Sequence, residues 1–344
     1  MKNDAAIEVL DALDGIAAAA AYEQLGELGD GLPVAEPSPT VLAEMVAATG
    51  RDADDVILLV PPLRGPLTVR RLALCAALAG CEPRHLPVLV AACETLPEPE
   101  LNAFGFLTTT GSAAPLLLVN GPAARNLGFN SGGNCLGPGN RANATVGRCV
   151  SLVTRILGGA RIGLADMATM GQPAKYTCCF AENEDANPWS PFHVDRGFAP
   201  DDSTVTVTGI SGTVETFEAD TGRTDDMLDA IAFVLAGSAP VLDLGKKRLG
   251  GGQPLVLLTP EWATQLAKVG LSKPDIQRSL HERATRTCPD GEVLQVAETP
   301  DDVLVVVAGG VGVKQTVVPN WNGGARAITR PIALTGSSAS SISG

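Results

Sequence analysis

The side chains with most chemistry to offer cluster in the middle of the chain. Cys135 sits inside residues 126–148 (NLGFNSGGNCLGPGNRANATVGR), where six glycines and five asparagines alternate. Both residue types tolerate positive φ, so successive backbone N–H groups can turn toward one point and form a nest that attracts an anion. The run leads into a predicted helix carrying Arg141 in its first turn, and a helix N-terminus favours a thiolate at Cys135. Asn130, Ser131, Gly132, Gly133, Asn134, Asn140, Arg141 and Asn143 are the candidate substrate-binding residues here; the alternative is an elaborate turn between a strand and a helix. Cys178 and Cys179 stand side by side on a predicted strand over 175–180, so they face opposite sides and at most one can serve a site. Lys175 opens that strand and would supply the positive surroundings that a reactive thiol needs. Glu182 and His193 follow as candidates for proton transfer, while Glu184 and Asp185 read as a solvated acidic loop.

A second glycine loop, residues 307–314 (VAGGVGVK), follows a predicted strand and ends at Lys314, which with Lys175 would add positive charge to an anion site. It lacks the spacing of a nucleotide-binding P-loop. There is no GxSxG elbow, no CxxC and no histidine pair at metal-ligand spacing. The sequence therefore specifies no cofactor and leaves metal binding open.

The elements that must position these groups read as α/β. Apolar spacing predicts a helix over 4–28 that packs on the body or on a partner subunit, a short helix over 40–49, and a buried strand over 54–60. Helices over 68–80 and 86–97, a strand over 116–120 and a helix over 142–157 follow. Residues 115–119 (PLLLV) resemble 254–258 (PLVLL), and 175–177 (KYT) resemble 314–316 (KQT), at one offset (254 − 115 = 314 − 175 = 139). The expectation is an internal duplication: two related α/β units with mainly parallel sheets and an appended N-terminal helix. The units span 51–199 and 200–335, with an extension over 1–50 and a flexible tail over 336–344.

Composition narrows the function. Of 344 residues 45% are hydrophobic and 18% charged, enough for a large core. A net charge of −13 and only 4% aromatics argue against nucleic acid as a partner. No signal peptide or membrane-spanning run is evident, so a cytoplasmic location is expected, where the eight cysteines read as free thiols.

The blocks GPAARNLGFNSG, GPGNRANATVGR and DMATMGQPAKYTCCFAENE resemble poorly characterised bacterial proteins associated with the UGSC group, named for a selenocysteine/cysteine-Gly-Ser-Cys motif. The resemblance covers about residues 54–332. It implies thiol or selenol redox chemistry, and it singles out Cys179 and Arg141. This chain carries no CGSC string itself, so the resemblance implies the larger companion of a small cysteine-motif partner protein.

Together these features lead to one expectation: a cysteine-dependent enzyme that binds a small anionic carboxylate metabolite between two units. Its chemistry would be of thiol-redox or lyase type, with Cys179 or Cys135 reacting and Glu182 or His193 moving protons. The alternatives are a non-catalytic ligand-binding or scaffolding subunit and a metal-assisted hydratase or lyase. The apolar N-terminal helix makes a homo-oligomer plausible.

Overall fold

In the computed structural model, residues 3–217, 221–239, 242–243, 248–249, 252–321 and 323–334 are described; the tail over 336–344 lies outside them. The chain opens with helices α1 (Asn3–Asp11), α2 (Ala18–Leu25) and α3 (Pro39–Thr49), then the strands β1 (Val56–Val60) and β2 (Gly65–Thr68). Next come α4 (Val69–Ala79), α5 (Leu86–Cys93), α6 (Ala103–Thr108), β3 (Ala114–Asn120), α7 (Pro122–Asn126), α8 (Arg141–Ile156), β4 (Cys179–Ala181) and α9 (Phe192–Asp195). β5 (Thr204–Ile210), β6 (Val214–Thr216) and α10 (Thr224–Ser238) follow, then the short pair β7 (Leu242–Asp243) and β8 (Arg248–Leu249). The last segment holds β9 (Leu255–Leu258), α11 (Pro260–Lys268), α12 (Lys273–Arg283), β10 (Thr285–Thr287), β11 (Val293–Gln295), β12 (Leu304–Val307), β13 (Gln315–Val318) and β14 (Ile328–Pro331).

Two four-stranded sheets form the centre, in the orders β14-β5-β3-β4 and β12-β9-β13-β6. In each, one outer pair is parallel (β3 with β4, β9 with β12) and the other two pairs are antiparallel. The expectation of mainly parallel sheets is thus corrected to mixed sheets. The physical reason is that the chain leaves β3 and β9 through helical crossovers only once each, and returns beside them antiparallel in β5 and β13.

Side-chain alternation along the strands divides the core into layers. In β3, Leu117 and Val119 pack with the helices of the first half, while Leu116 and Leu118 pack toward the other sheet. In β9, Leu255 and Leu257 face that same inter-sheet core, whereas Val256 and Leu258 join α10, α11 and α12. Leu304 and Val306 of β12 face inward, and Val305 and Val307 outward. The order of layers is helix, sheet, sheet, helix. Backbone bonds from Ser211 N to Pro319 O (2.8 Å) and Trp321 N to Gly209 O (2.9 Å) join the sheets where β5 and β13 end.

The sheets also exchange strands. After β5 the chain crosses to pair β6 with β13 (Val214 opposite Val317), and after β13 it crosses back to pair β14 with β5 (Ile328 opposite Val207). A boundary at 199/200 therefore does not coincide with the sheets, because β5 and β14 complete the sheet that β3 and β4 begin.

Two further expectations change. Residues 54–60 do not open the central sheet: β1 forms a separate hairpin with β2, and its exposed Val56 and Leu59 show that only one face is covered. The N-terminal stretch is two helices rather than one, and Ala6, Leu10, Leu13, Ala21 and Leu25 are buried in the same core as β3. Asp11 pairs with Arg71, and Asp30 with Arg148, pinning the extension to α4 and α8. Its apolar face is covered within the chain and gives no argument for self-association.

Phe180 of β4 is fully buried in the inter-sheet layer. Phe180→Ala should cost about 3–5 kcal/mol in urea denaturation. A loss well under that would mean the sheets close over the gap and do not depend on this layer.

Candidate functional site

The carboxyl ends of the two parallel strand pairs converge. The chain leaving β3 turns at Gly121 (φ +77°), where an added Cβ would stand 2.0 Å from the Asp202 carbonyl oxygen. It then runs through α7 into the Gly/Asn loop. The chain leaving β4 gives Glu182, Asn183 and Glu184; the chain leaving β12 gives Gly309 and Gly310. Backbone bonds tie the three together: Ala181 N to Asn130 O (3.2 Å), Asn183 N to Val307 O (2.8 Å) and Gly309 N to Ser131 O (2.8 Å). A Cβ on Gly310 would stand 2.7 Å from Gly133 Cα, so the two glycine loops touch through backbone alone.

The asparagines of the loop mostly hold the loop. Asn143, buried in the first turn of α8, accepts from Asn130 N (2.9 Å) and donates to Asn130 O and Cys135 O (3.0 Å each). Asn130 accepts from Gly132 N and donates to Gly133 O. Asn134, at φ +59°, donates to Pro138 O. Asn140 caps α8 by accepting from Asn143 N and donates to Gly128 O. An amide carries a donor and an acceptor on one short arm, so it can stand in for backbone pairing where the chain has no ladder.

At the centre of this frame lies Cys135, buried, with its side chain against the inter-sheet core. Burial raises its pKa above the ordinary thiol value, and the nearby backbone N–H groups of Cys135, Gly309 and Leu136 offset only part of the rise, those of Cys135 and Gly309 being bonded to Gly132 O and Ser131 O. The two glycine loops thus meet around one thiol. Cys179, by contrast, packs on the helix side of β4, and burial holds it well above the ordinary thiol range. The strand expected over 175–180 is shorter, with Lys175 in a 3-10 turn and Cys178 just before β4; Cys178 packs toward the inter-sheet side, and burial pushes it up to about 12.

The three cations of the sequence reading are engaged elsewhere. Arg141 donates to Gly80 O (2.9 Å) and lies 3.6 Å from Glu82, at the C-terminal end of α4. Lys175 pairs with Asp166 at 2.6 Å. Lys314 pairs with Glu215 at 2.6 Å and lies over the Phe217 ring. Lys175 precedes β4, the parallel neighbour of β3, whereas Lys314 precedes β13, the antiparallel neighbour of β9, so they do not occupy corresponding places.

Glu182 and His193 do come together, through Asn120 and through Glu184, which is not the solvated loop residue expected but is largely buried and accepts from Asn120 Nδ2 and Gly121 N. Glu182 is buried and accepts from Asn120 Nδ2 (2.5 Å), Phe192 N (2.7 Å) and Asn187 Nδ2 (2.9 Å). The same Asn120 donates to Glu184 (2.9 Å), whose carboxylate lies 3.6 Å from Nδ1 of the fully buried His193. Burial pushes the Glu182 carboxyl up to about 7, against the pull of Lys273 and of the hydrogen bonds from Phe192 and Asn120; the Glu184 charge adds to the rise. Lys273, on α12, donates to Ser190 O and Asp195 and lines a cleft of about 750 Å³ with Arg196 and Arg326. Asn120 had one visible signal, a lone amide ending an apolar strand. Lys273 had none.

Sequence reasoning also passed over Cys81. Burial acts to raise its pKa, but hydrogen bonds from Cys149, His85 and Thr145 outweigh it and the thiol falls below its ordinary value. Among the described residues no group of three or more His, Cys, Asp or Glu side chains could hold a metal ion, and no helix is long and apolar enough to cross a membrane. Compared with models of known protein families the chain matches none, and no curated protein matches it.

Two tests follow from this geometry. Gly310→Ala should destabilise the protein by about 1–3 kcal/mol, because backbone cannot retreat from backbone, whereas Gly132→Ala, with 3.6 Å to its nearest neighbour, should be nearly silent. Equal midpoints for the two variants in urea would contradict the close approach. Glu182 holds its proton more tightly when folded: the effect is silent below about pH 4.5, where both states are protonated, and costs stability as pH rises through about 7. Wild type should lose about 3 kcal/mol over that window relative to Glu182→Gln. Parallel stability–pH curves would show that Glu182 ionises normally.

Proposed function

We propose that the chain is a cysteine-dependent enzyme acting on a small carboxylate-bearing metabolite, with Cys135 as its reacting thiol. The observation that carries this reading is the place of Cys135, a buried thiol enclosed where the two glycine loops touch through backbone. Backbone N–H dipoles around it favour the thiolate, against the burial that raises its pKa. Beside it, they would also favour negative charge developing on a substrate oxygen during attack. The chemistry is of thiol-redox or lyase type, and Glu182, next to the loop-tying Asn183, is the group that holds a proton near neutral pH.

Cys179 is set aside for the reacting role, because an apolar core gives a thiolate nothing to offset its desolvation. All eight cysteines are unpaired, which suits a cytoplasmic location where thiols stay reduced. The two halves are read as products of an internal duplication. Both sheets run parallel, antiparallel, antiparallel from one edge, and each gives its last strand to the other. A small cysteine-motif protein as partner is in keeping with the UGSC resemblance.

Residue-resolved alkylation at about pH 6.5 tests the assignment, because ordinary thiols are almost wholly protonated there. Among the cysteines whose pKa burial raises, Cys135 should label first, ahead of Cys178 and Cys179, and Cys135→Ala should remove that site. Labelling of Cys135 no faster than that of Cys178, or Cys179 labelling ahead of it, would overturn the reading.

A further inference from the structure

The block DMATMGQPAKY (166–176), prominent in the sequence, takes no part in the Cys135 frame. It lies in the connection between α8 and β4 and forms one wall of a separate cleft of about 560 Å³. The floor of that cleft is apolar: Phe106, Leu107, Ala113 and Pro115. At its rim, Ile162 is 83% exposed and Met170 89% exposed, with Tyr176 half exposed beside them. The connection is not loose. Thr169 N donates to Thr110 O (2.9 Å), Gln172 Nε2 donates to Ile210 O (3.1 Å), and Lys175 pairs with Asp166. An anchored segment that holds large apolar side chains out to water around an apolar hollow has the form of a ligand site.

Charge says what kind of ligand. Arg155 and Lys175 line the cleft, Arg155 donating to the carbonyls of Glu27, Leu28 and Gly29, and Arg161 stands between the lining residues Ala160 and Ile162. Asp166 is engaged by Lys175, and Asp30, also lining, is taken by Arg148 in two hydrogen bonds. Arg161 is 6% exposed, and its Nη1 is buried with no partner among the described residues; the same holds for the hydroxyl of Ser151, which lines the cleft. The local balance is therefore positive in a chain whose net charge is −13.

We propose that this cleft binds a small organic anion with an apolar body: a carboxylate carried on an aliphatic chain or a ring. The head would be held by the Lys175 N–H groups that Asp166 leaves free, in the positive field of Arg155 and Arg161. The tail would lie on Phe106, Leu107 and Pro115 under Ile162 and Met170. The inference does not rest on the Cys135 reading.

The test is calorimetric titration with octanoate, with octanol and octylammonium as controls of equal chain length. Octanoate should bind one molecule per chain, and neither control should match it. Lys175→Met should weaken binding about tenfold, as expected for loss of a charge-assisted bond. Ala168→Trp, which fills the cleft from its wall, should abolish binding, and Cys135→Ala should leave it unchanged. No octanoate binding to wild type overturns the proposal. So does octanol binding as well as octanoate, which would mark a merely apolar patch, or binding that both Lys175→Met and Ala168→Trp leave intact. Loss of octanoate binding in Cys135→Ala would place the anion at the thiol site and equally end the claim of a separate cleft.

Discussion

The apolar layer between the two sheets is the contact on which the rest of the molecule leans. Leu116, Leu118 and Phe180 from one sheet meet Leu255, Leu257, Leu304 and Val306 from the other. Because strand side chains alternate, each residue committed to this layer fixes its neighbours on the helix side, and one register serves three cores at once. That packing brings the ends of β4 and β12 within backbone hydrogen-bonding distance. The two glycine loops can touch only because of it. Cys135 is both a member of the layer and the residue that the loops enclose, so the site inherits its position from the core directly.

Much of this was legible in residue types. The runs PLLLV and PLVLL announced β3 and β9, Asn140 before a helical pattern announced the cap of α8, and glycine after strands marked where the backbones would meet. What could not be read was pairing partner and direction. An apolar run of five residues says nothing about which strand lies beside it, so β1 looked like a core strand and the antiparallel returns of β5 and β13 were invisible. The site shows the same limit. Asparagine-rich loops advertise polarity, but whether those amides face a ligand or the loop's own carbonyls depends on a three-dimensional path. Here Asn130, Asn134, Asn140 and Asn143 are turned inward. Likewise Arg141, Lys175 and Lys314 each found a partner that local sequence does not name.

One electrostatic rule accounts for most of the perturbed groups. Burial disfavours whichever form is charged, so Glu182 and the thiols of Cys178 and Cys179 move up, while Arg155, Arg161 and Arg196 move down. Where backbone or side-chain donors surround the atom, as at Cys135 and Cys81, the shift is checked or reversed. Acids and bases across the interior are thus drawn toward neutrality from both sides.

The exchange of β6 and β14 bears on how the protein is made. Sheet one needs β14 to cover the outer edge of β5, and β14 is synthesised only after every strand from β6 to β13. Until then β5, rich in threonine and valine, presents an unpaired edge, the kind of surface that recruits strands from other chains. The nascent chain is therefore exposed to misassembly from the completion of β5 until β14 is made, although β3, β4 and β5 are by then all present.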